Sequence, residues 1–307
     1  MRTVVVVNPN AGHGRAGRTW PALHAAIERA VPGAENRLTS GPGHATTLVR
    51  EALRAGAERV IAIGGDGTNN EVVNGFFDER GAAIAPEAVL CLVPSGTGGD
   101  FRRVLALPDD PLEALAVALD APVRTIDVGR IAHVDHDGAE RAQMFVNIAS
   151  FGMSGLVDRI VNAASKRLGG RVSFFVASLR AMMRYRNQRV RLSIDHGRVE
   201  MELPIFNVAV CNGRYFGGGM HVAPAARIDD GRLEVVVLGD LSLGGKIALS
   251  SRIYKGTHVD MPGVIVESGT HVRAESADEV LLDVDGETPG RLPATFEILP
   301  GALRLQG

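Results

Sequence analysis

The residues of this chain best suited to chemistry are three glycines around one aspartate, the GGDG run at residues 64–67. Before them, residues 60–63 are apolar, as in a buried parallel strand, and after them residues 68–77 have helical spacing. Glycines allow positive φ and bring backbone N–H groups close to an anion, and the positive end of the helix points at the same place. An acid inside such a turn is useful chiefly if a divalent cation joins it to a phosphate. The turn therefore predicts a nucleoside triphosphate site with Mg²⁺ near Asp66.

The composition limits the class of protein. A chain of 307 residues with 45% hydrophobic and 22% charged residues suits two ordered domains. The charges of the 33 basic and 35 acidic residues nearly cancel, so the chain has no overall positive electrostatic field that would attract nucleic acid. Cys91 and Cys211 lie in apolar strand-like runs, which argues against disulfides or zinc and fits a reducing cytoplasm. No apolar run approaches the ~18 residues of a membrane span, so we expect any membrane contact to be peripheral.

Strands alternate with helices over the first 127 residues. The predicted strands are 3–7, 35–38, 59–63 and 89–93, and the predicted helices are 15–31, 43–55, 68–77, 98–105 and 111–119. This alternation predicts an α/β domain with a doubly wound, mostly parallel sheet that binds ligands at the carboxyl ends of its strands.

From residue 128 onward the pattern changes to short β segments with few helices between them. These segments are 143–149, 189–195, 205–211, 233–238, 258–267, 271–275 and 279–284. They predict an antiparallel β-sandwich. We therefore expect a nucleotide-binding domain at residues 1–127 and a second domain at 128–294.

Five motifs in a fixed order resemble a known family. They are NPNAG at 8–12, GGDGTNNE at 64–71, PSGTGGDF at 94–101, PAARIDDGRLEV at 224–235 and DVDGE at 283–287. Together they resemble the diacylglycerol kinase and sphingosine kinase superfamily of lipid kinases, in particular its bacterial diacylglycerol-kinase-like members, along nearly the whole chain. The resemblance implies that residues 295–307 return to the first domain and that the active site is the cleft between the domains.

The glycine turns and the resemblance together predict the contacts with ATP. The backbone of Gly64, Gly65 and Gly67 would cradle the phosphates, while Thr68 and Asn69 would donate hydrogen bonds. Further contacts are expected at Asn8, Pro9, Gly12, Thr39, Asn70, Gly96 and Thr97. An Asp N-cap in a plain strand-to-helix turn remains the alternative for the GGDG run.

The PSGTGGDF motif departs from the family pattern at one position. Gly99 stands where the family has an asparagine, which leaves Thr97 and Asp100 as its polar residues. An ordinary β-to-α loop is the alternative reading.

Residues 12–19, GHGRAGRT, nearly satisfy two other phosphate-binding patterns. Gly12, Gly14 and Gly17 form a GxGxxG, but four residues separate it from the preceding strand. As a Walker A loop the same run lacks its lysine, because Arg18 precedes Thr19. We favour the interpretation that residues 12–19 form a loop beside the nucleotide phosphates, with Arg15 or Arg18 as phosphate partners.

The DVDGE motif predicts the catalytic carboxylates. On a strand, Asp283, Asp285 and Glu287 would share one face and concentrate negative charge there. A lipid hydroxyl needs a general base, and the resemblance implies that Asp285 and Glu287 share this work. A simple Asp-Gly β-turn is the alternative.

Two further segments suggest accessory sites. The PAARIDDGRLEV block resembles the structural metal loop of the family, which implies a Mg²⁺ held by the Asp230 side chain and the carbonyls of Arg227 and Arg232. A plain Asp-Gly hairpin is the alternative. Residues 166–191 are basic and amphipathic, which suits either docking on anionic lipid or an ordinary helix with one solvated face.

These observations predict an ATP-dependent lipid kinase that transfers the γ-phosphate of ATP to the hydroxyl of a lipid such as diacylglycerol. We expect a cytoplasmic protein that is peripheral at the inner face of the cell membrane. Two alternatives stay open, an NAD kinase-like enzyme with a soluble substrate and a non-catalytic nucleotide-binding sensor. The sequence leaves open which lipid is used and whether two copies form a homodimer.

Overall fold

The computed structural model describes residues 1–96, 98–157 and 185–307. The first part of the chain forms four parallel strands in the order β2-β1-β3-β4. The strands are β1 Thr3–Val7, β2 Glu35–Leu38, β3 Arg59–Gly64 and β4 Val89–Pro94. The helices are α1 Ala11–Ala30, α2 His44–Arg54, α3 Asp66–Gly75, α4 Asp100–Val104 and α5 Pro111–Asp120. Each of these elements was predicted from the sequence, with bounds that differ by a few residues.

The parallel strands form because their residues can be buried on both faces. All five residues of β1 and all six of β4 are buried, and both strands consist mainly of valine and leucine. Continuous apolar runs of this kind are typical of a sheet covered by helices on both sides. Cys91 in β4 and Cys211 in a later strand are buried free thiols.

One long strand continues this sheet into the second half of the chain. The end of β15 (Gly290–Gln306) pairs in parallel with β4, while its earlier part pairs antiparallel with β13 (His271–Glu275). Along most of its length β15 also pairs antiparallel with β5 (Val123–Asp135). The remaining strands of this sheet are β6 Glu140–Phe145, β8 Gln188–Ile194 and β9 Val199–Ile205.

A second, five-stranded antiparallel sheet packs against that extension. Its strands are, in spatial order, β12 Val264–Gly269, β11 Leu233–Leu238, β10 Asn207–Cys211, β7 Ile148–Gly152 and β14 Leu282–Val284. Phe151 of β7 stacks on Phe296 of β15 with ring centroids 5.9 Å apart, within a core drawn from both sheets. The predicted fold class is thus confirmed: a parallel-rich α/β part is followed by an antiparallel sandwich.

The sequence reading of the second half was wrong at several places. The predicted strand 143–149 is divided between β6 and β7, and β9 was not predicted. Helix α6 (Leu243–Arg252) was not predicted, because two glycines follow its Ser242 cap and interrupt the apolar spacing. Residues 258–263 precede β12 and are not part of a strand. His258 is buried in the turn there, and its Nε2–H donates to the Val222 carbonyl oxygen at 3.0 Å. Strand β5 was missed because it begins with three exposed residues at the expected domain boundary.

Candidate active site

The two glycine loops at the ends of β3 and β4 are in backbone contact. A Cβ added to Gly96 would lie 2.5 Å from the Gly65 Cα, and one added to Gly65 would lie 3.1 Å from the Gly96 Cα. The Ser95 N–H also donates to the Gly64 carbonyl at 2.7 Å. Glycine is therefore required here for close approach, and the two predicted phosphate loops form one continuous surface at the carboxyl edge of the sheet.

The NPNAG loop after β1 adjoins the same surface. A Cβ on Gly12 would lie 2.4 Å from the Ser95 carbonyl oxygen, and the Asn8 side chain donates to Thr68 Oγ1 at 2.9 Å. Gly12, His13 and Gly14 all have positive φ, so the regular part of α1 begins after them, as the sequence predicted. Three loops that are far apart in sequence are thus brought together.

Asp66 connects the first glycine turn to the second. Its Oδ2 accepts hydrogen bonds from the N–H groups of Gly99 at 2.8 Å and Asp100 at 3.4 Å, so it caps α4 and not its own helix. Gly99 has a φ of 66°, which is in the left-handed region. Asparagine adopts this conformation more readily than most residues, so the asparagine of the family pattern would fit the same backbone. In the three described stretches of the chain, no donor bonds to Oδ1 of Asp66.

Glu71 performs a similar role for another helix. Its two carboxylate oxygens accept from the N–H groups of Gly43 at 2.8 Å and Ala45 at 3.0 Å, at the start of α2. The Glu71 side chain therefore fastens α2 to α3.

The DVDGE acids lie in a tight turn, so the prediction that all three share one strand face was wrong. Val284 and Glu287 exchange both backbone hydrogen bonds, at 2.8 and 3.0 Å, and Asp285 and Gly286 between them have φ of 50° and 90°. Positive φ at both central positions is the signature of a type I′ turn. The turn points Asp285 and Glu287 into different surroundings.

The Asp285 carboxylate accepts four hydrogen bonds. Oδ2 accepts from Asn70 Nδ2 at 3.0 Å and from the Val146 N–H at 2.9 Å, while Oδ1 accepts from the N–H groups of Asn147 at 3.1 Å and Ile148 at 2.9 Å. Burial raises the pKa of Asp285, and these hydrogen bonds oppose the rise. Asp285 thus ties α3 to the bend between β6 and β7, and both of its oxygens are already engaged.

Glu287 is the carboxylate that remains available. Its Oε1 lies 3.3 Å from the position that a Cβ on Gly67 would occupy, and its side chain forms no hydrogen bond with the part of the chain that the structure describes. The atoms packed around it raise its pKa, and the nearby Glu71 carboxylate raises it further. A carboxylate of the second half of the chain therefore faces the phosphate turn of the first.

A further contact between the two halves of the chain was not predicted. Residues 217–219 are three glycines with positive φ that form the tip of a hairpin closed by hydrogen bonds between Phe216 and Met220. At this tip the Gly218 N–H donates to Asp100 Oδ2 at 2.8 Å, while Arg103 contacts the other oxygen at 3.0 Å. Burial raises the pKa of Asp100. The run of three glycines in the sequence was the signal that could have revealed this hairpin.

The other predicted nucleotide residues lie at or beside these loops. Thr39 follows β2 and is buried, with its N–H bonded to the Val7 carbonyl at 2.8 Å. Thr68, Asn69 and Asn70 are buried at the start of α3, and Asn69 Oδ1 has no hydrogen-bond partner. Thr97 and most of the basic segment 166–191 lie outside the described residues.

Hydrogen bonds within the chain close the turn of the predicted metal loop. Asp230 Oδ1 accepts from the Arg232 N–H at 3.0 Å, within its own turn. The buried Asp127, which the sequence reading missed, accepts from the N–H groups of Gly231 and Gly301, both at 2.7 Å. Among residues 1–96, 98–157 and 185–307 there is no group of three acidic, histidine or cysteine side chains that could hold a metal. A cation bound by Arg227, Asp230 and Arg232 stays a prediction.

The chain matches two protein-family models that together cover most of its length. Residues 2–131 match the diacylglycerol kinase catalytic domain, and residues 147–307 match the YegS C-terminal NAD kinase beta sandwich-like domain. The described helices include none that is long and apolar enough to span a bilayer.

Known proteins agree with these matches. The chain is 34% identical to a probable lipid kinase YegS-like of Chromohalobacter salexigens, over 88% of this chain and 82% of that protein. It is 27% identical to a diacylglycerol kinase of Bacillus subtilis, over 96% of this chain and 92% of that protein. A crystal structure of a putative diacylglycerol kinase from Bacillus anthracis superposes with a TM-score of 0.80 at 25% identity, covering 99% of this chain and 94% of the other. The family matches and these relatives together show that the chain belongs to the diacylglycerol kinase family of lipid kinase enzymes.

Proposed function

We propose that this protein uses ATP to phosphorylate the hydroxyl group of a lipid such as diacylglycerol, in the cleft between the α/β part and the sandwich. The observation that carries this proposal is the placement of Glu287. Its carboxylate comes from the sandwich, is free of hydrogen bonds to the described residues, and lies against Gly67 in the predicted phosphate turn. A group at this position can reach a hydroxyl that approaches the terminal phosphate.

Glu287 would act as the general base. A lipid hydroxyl is a weak nucleophile until its proton is removed, so the base must be close to it and must not be committed to other donors. In the proposed reaction the hydroxyl oxygen forms a bond to the γ-phosphorus, the bond from that phosphorus to the β-phosphate bridge oxygen breaks, and the hydroxyl proton passes to Glu287. The products are a phosphorylated lipid and ADP. The raised pKa of Glu287 makes it a stronger base than an ordinary glutamate.

The glycine loops would bind the triphosphate through their backbone. The contact between Gly65 and Gly96 gives a surface without side chains, which lets N–H groups approach the phosphate oxygens. Asn8, Pro9 and Gly12 would border the same phosphates from the loop after β1.

Asp66 would hold a Mg²⁺ ion, because its Oδ1 is not bonded to any donor in the described stretches and oxygen ligands suit this ion. When bound, Mg²⁺ would supply charge neutralisation of the phosphates. The remaining oxygen of Asp66 keeps the second glycine loop in place through Gly99 and Asp100.

The proposal is tested with purified protein, labelled ATP, Mg²⁺, a panel of lipid alcohols and NAD. We expect phosphorylated lipid from the unmodified chain and none from Glu287→Gln, with full activity in the exposed control Glu113→Gln on α5. Formation of NADP instead of phosphorylated lipid would establish a soluble-substrate kinase. Binding of ATP without transfer to any acceptor would establish a nucleotide sensor and refute the proposal.

A further inference from the structure

Helix α6 and the short 3₁₀ turn after it carry the two most exposed large apolar side chains of the described sandwich. Ile247 is 66% exposed, and Tyr254, in the short 3₁₀ turn Ile253–Lys255 that follows the helix, is 57% exposed. In the same segment Leu249 and Ile253 are buried against the sandwich. Because Leu249 is two residues from Ile247, the helix turns these side chains to opposite sides. Burial of the inner face therefore does not explain the apolar residues of the outer face.

Positive charge accompanies this outer face. Between Asp240 and Asp260 the chain contains no aspartate or glutamate, and its charged residues there are Lys246, Arg252 and Lys255. Lys246 Nζ lies 4.8 Å from the centre of the Phe206 ring, which anchors the start of the helix to the sandwich. Apolar and aromatic side chains in a segment whose charged residues are all cations are complementary to the anionic surface of a bilayer.

The end of this segment is also close to the cleft. The Ile253 carbonyl accepts from the His221 N–H at 2.9 Å, and the His221 ring stacks on Tyr215 with centroids 4.5 Å apart. The Tyr215 carbonyl in turn accepts from the side chain of Asn147 at 2.8 Å, and the Asn147 N–H bonds to Asp285. A membrane on the outer face of α6 would thus lie near the cleft.

We propose that the outer face of α6 and its 3₁₀ turn, formed by Ile247, Tyr254 and Lys255 with the exposed Arg252 beside it, docks on the surface of an anionic bilayer. The proposal rests on the proposed lipid substrate, which is presented in a membrane. It names a surface different from residues 166–191, which the sequence suggested for this purpose. Ile247 and Tyr254 would insert at the headgroup level, while the cations contact lipid phosphates.

The test measures co-sedimentation of the whole chain with vesicles in the absence of ATP. The vesicles are made of phosphatidylcholine alone or of phosphatidylcholine with phosphatidylglycerol. We expect salt-sensitive binding to the anionic vesicles, and a loss of roughly tenfold or more in the apparent binding constant of I247S/Y254S, given the apolar area that each side chain would bury. The matched control is L112S/V117S on α5, whose two side chains are 42% and 47% exposed, and it should bind as the unmodified chain does.

Three results would overturn the proposal: I247S/Y254S binds vesicles normally, both double variants lose binding equally, or the unmodified chain binds neither vesicle. A change of I247S/Y254S in sedimentation mass without vesicles would also overturn it, by identifying a second copy of the chain as the occupant. Turnover of a monomeric short-chain lipid should be equal in I247S/Y254S and the unmodified chain. Failure of the unmodified chain to phosphorylate that lipid would refute the proposed function without bearing on the vesicle measurement.

Discussion

Asp285 accepts a hydrogen bond from the Asn70 side chain at 3.0 Å, across 215 positions of sequence. The same carboxylate also accepts three backbone N–H groups at residues 146–148. A motif that reads as a pair of catalytic acids is therefore divided in the structure. Asp285 fastens α3 to the sandwich, while the side chain of the neighbouring Glu287 forms no hydrogen bond with the described residues.

Asp285→Asn should lower stability and activity together. The variant retains one acceptor oxygen for four donors, and hydrogen bonds to a charged group contribute about 1.5–3 kcal/mol each, so we expect a loss of roughly 2 kcal/mol or more in the free energy of unfolding. Denaturant unfolding measures it, with the exposed Asp137→Asn as control. An unchanged unfolding midpoint would show that the observed network does not support the fold.

Gly96→Ala should separate the two glycine loops. The added Cβ would meet the Gly65 Cα at 2.5 Å, and the obstacle is backbone that cannot rotate away. We expect a loss of about 1–3 kcal/mol in stability from this overpacking, with a weakened affinity for ATP. Unfolding and calorimetric titration with ATP measure the two effects. Gly41→Ala, where a Cβ meets nothing within 4 Å, is the control, and equal behaviour of both variants would contradict the prediction.

Two substitutions of Asp66 should distinguish its structural contact from its proposed role with Mg²⁺. Asp66→Asn retains an oxygen that can accept from Gly99, whereas Asp66→Ala removes the cap of α4 at a cost of about 1 kcal/mol. We expect both variants to lose phosphate transfer and only the alanine variant to lose stability. Transfer by Asp66→Asn at the normal rate would exclude a role for the negative charge.

The pH dependence of activity should reflect Glu287. A general base must be deprotonated, and a raised pKa means that it becomes protonated, and inactive, at a higher pH than an ordinary glutamate. The acid limb of kcat/KM should therefore lie above the ordinary glutamate range. Glu71→Gln removes one cause of the rise and should move the limb to lower pH. A limb that stays in place in this variant would show that the Glu71 charge does not act on the base.

Much of the fold could be predicted because it follows from local patterns. The apolar runs of β1, β3 and β4 and the glycines after them specify parallel strands with loops at one edge, and the order of five motifs identified the family. The strand-to-helix alternation needed no long-range information. This is why the first half of the chain was predicted more accurately than the second.

The site was harder to predict because its contacts depend on long-range geometry. The sequence suggests that Asp66 caps its own helix. In the structure β3 and β4 are adjacent, so the loops that follow them meet and Asp66 caps α4. Asp285 and Glu287 alternate as on a strand, but the type I′ turn gives them different partners. The three consecutive glycines at 217–219 signal a hairpin, but the sequence does not show that its tip reaches Asp100.

The central claim is that Glu287 accepts the proton of a lipid hydroxyl during transfer from ATP. The most direct measurement is kcat of Glu287→Gln with saturating ATP, Mg²⁺ and short-chain diacylglycerol, together with its dissociation constant for ATP. We expect kcat to fall by about 10²–10⁴-fold, the usual contribution of a general base, with the ATP dissociation constant unchanged. A kcat close to that of the unmodified chain would contradict the mechanism.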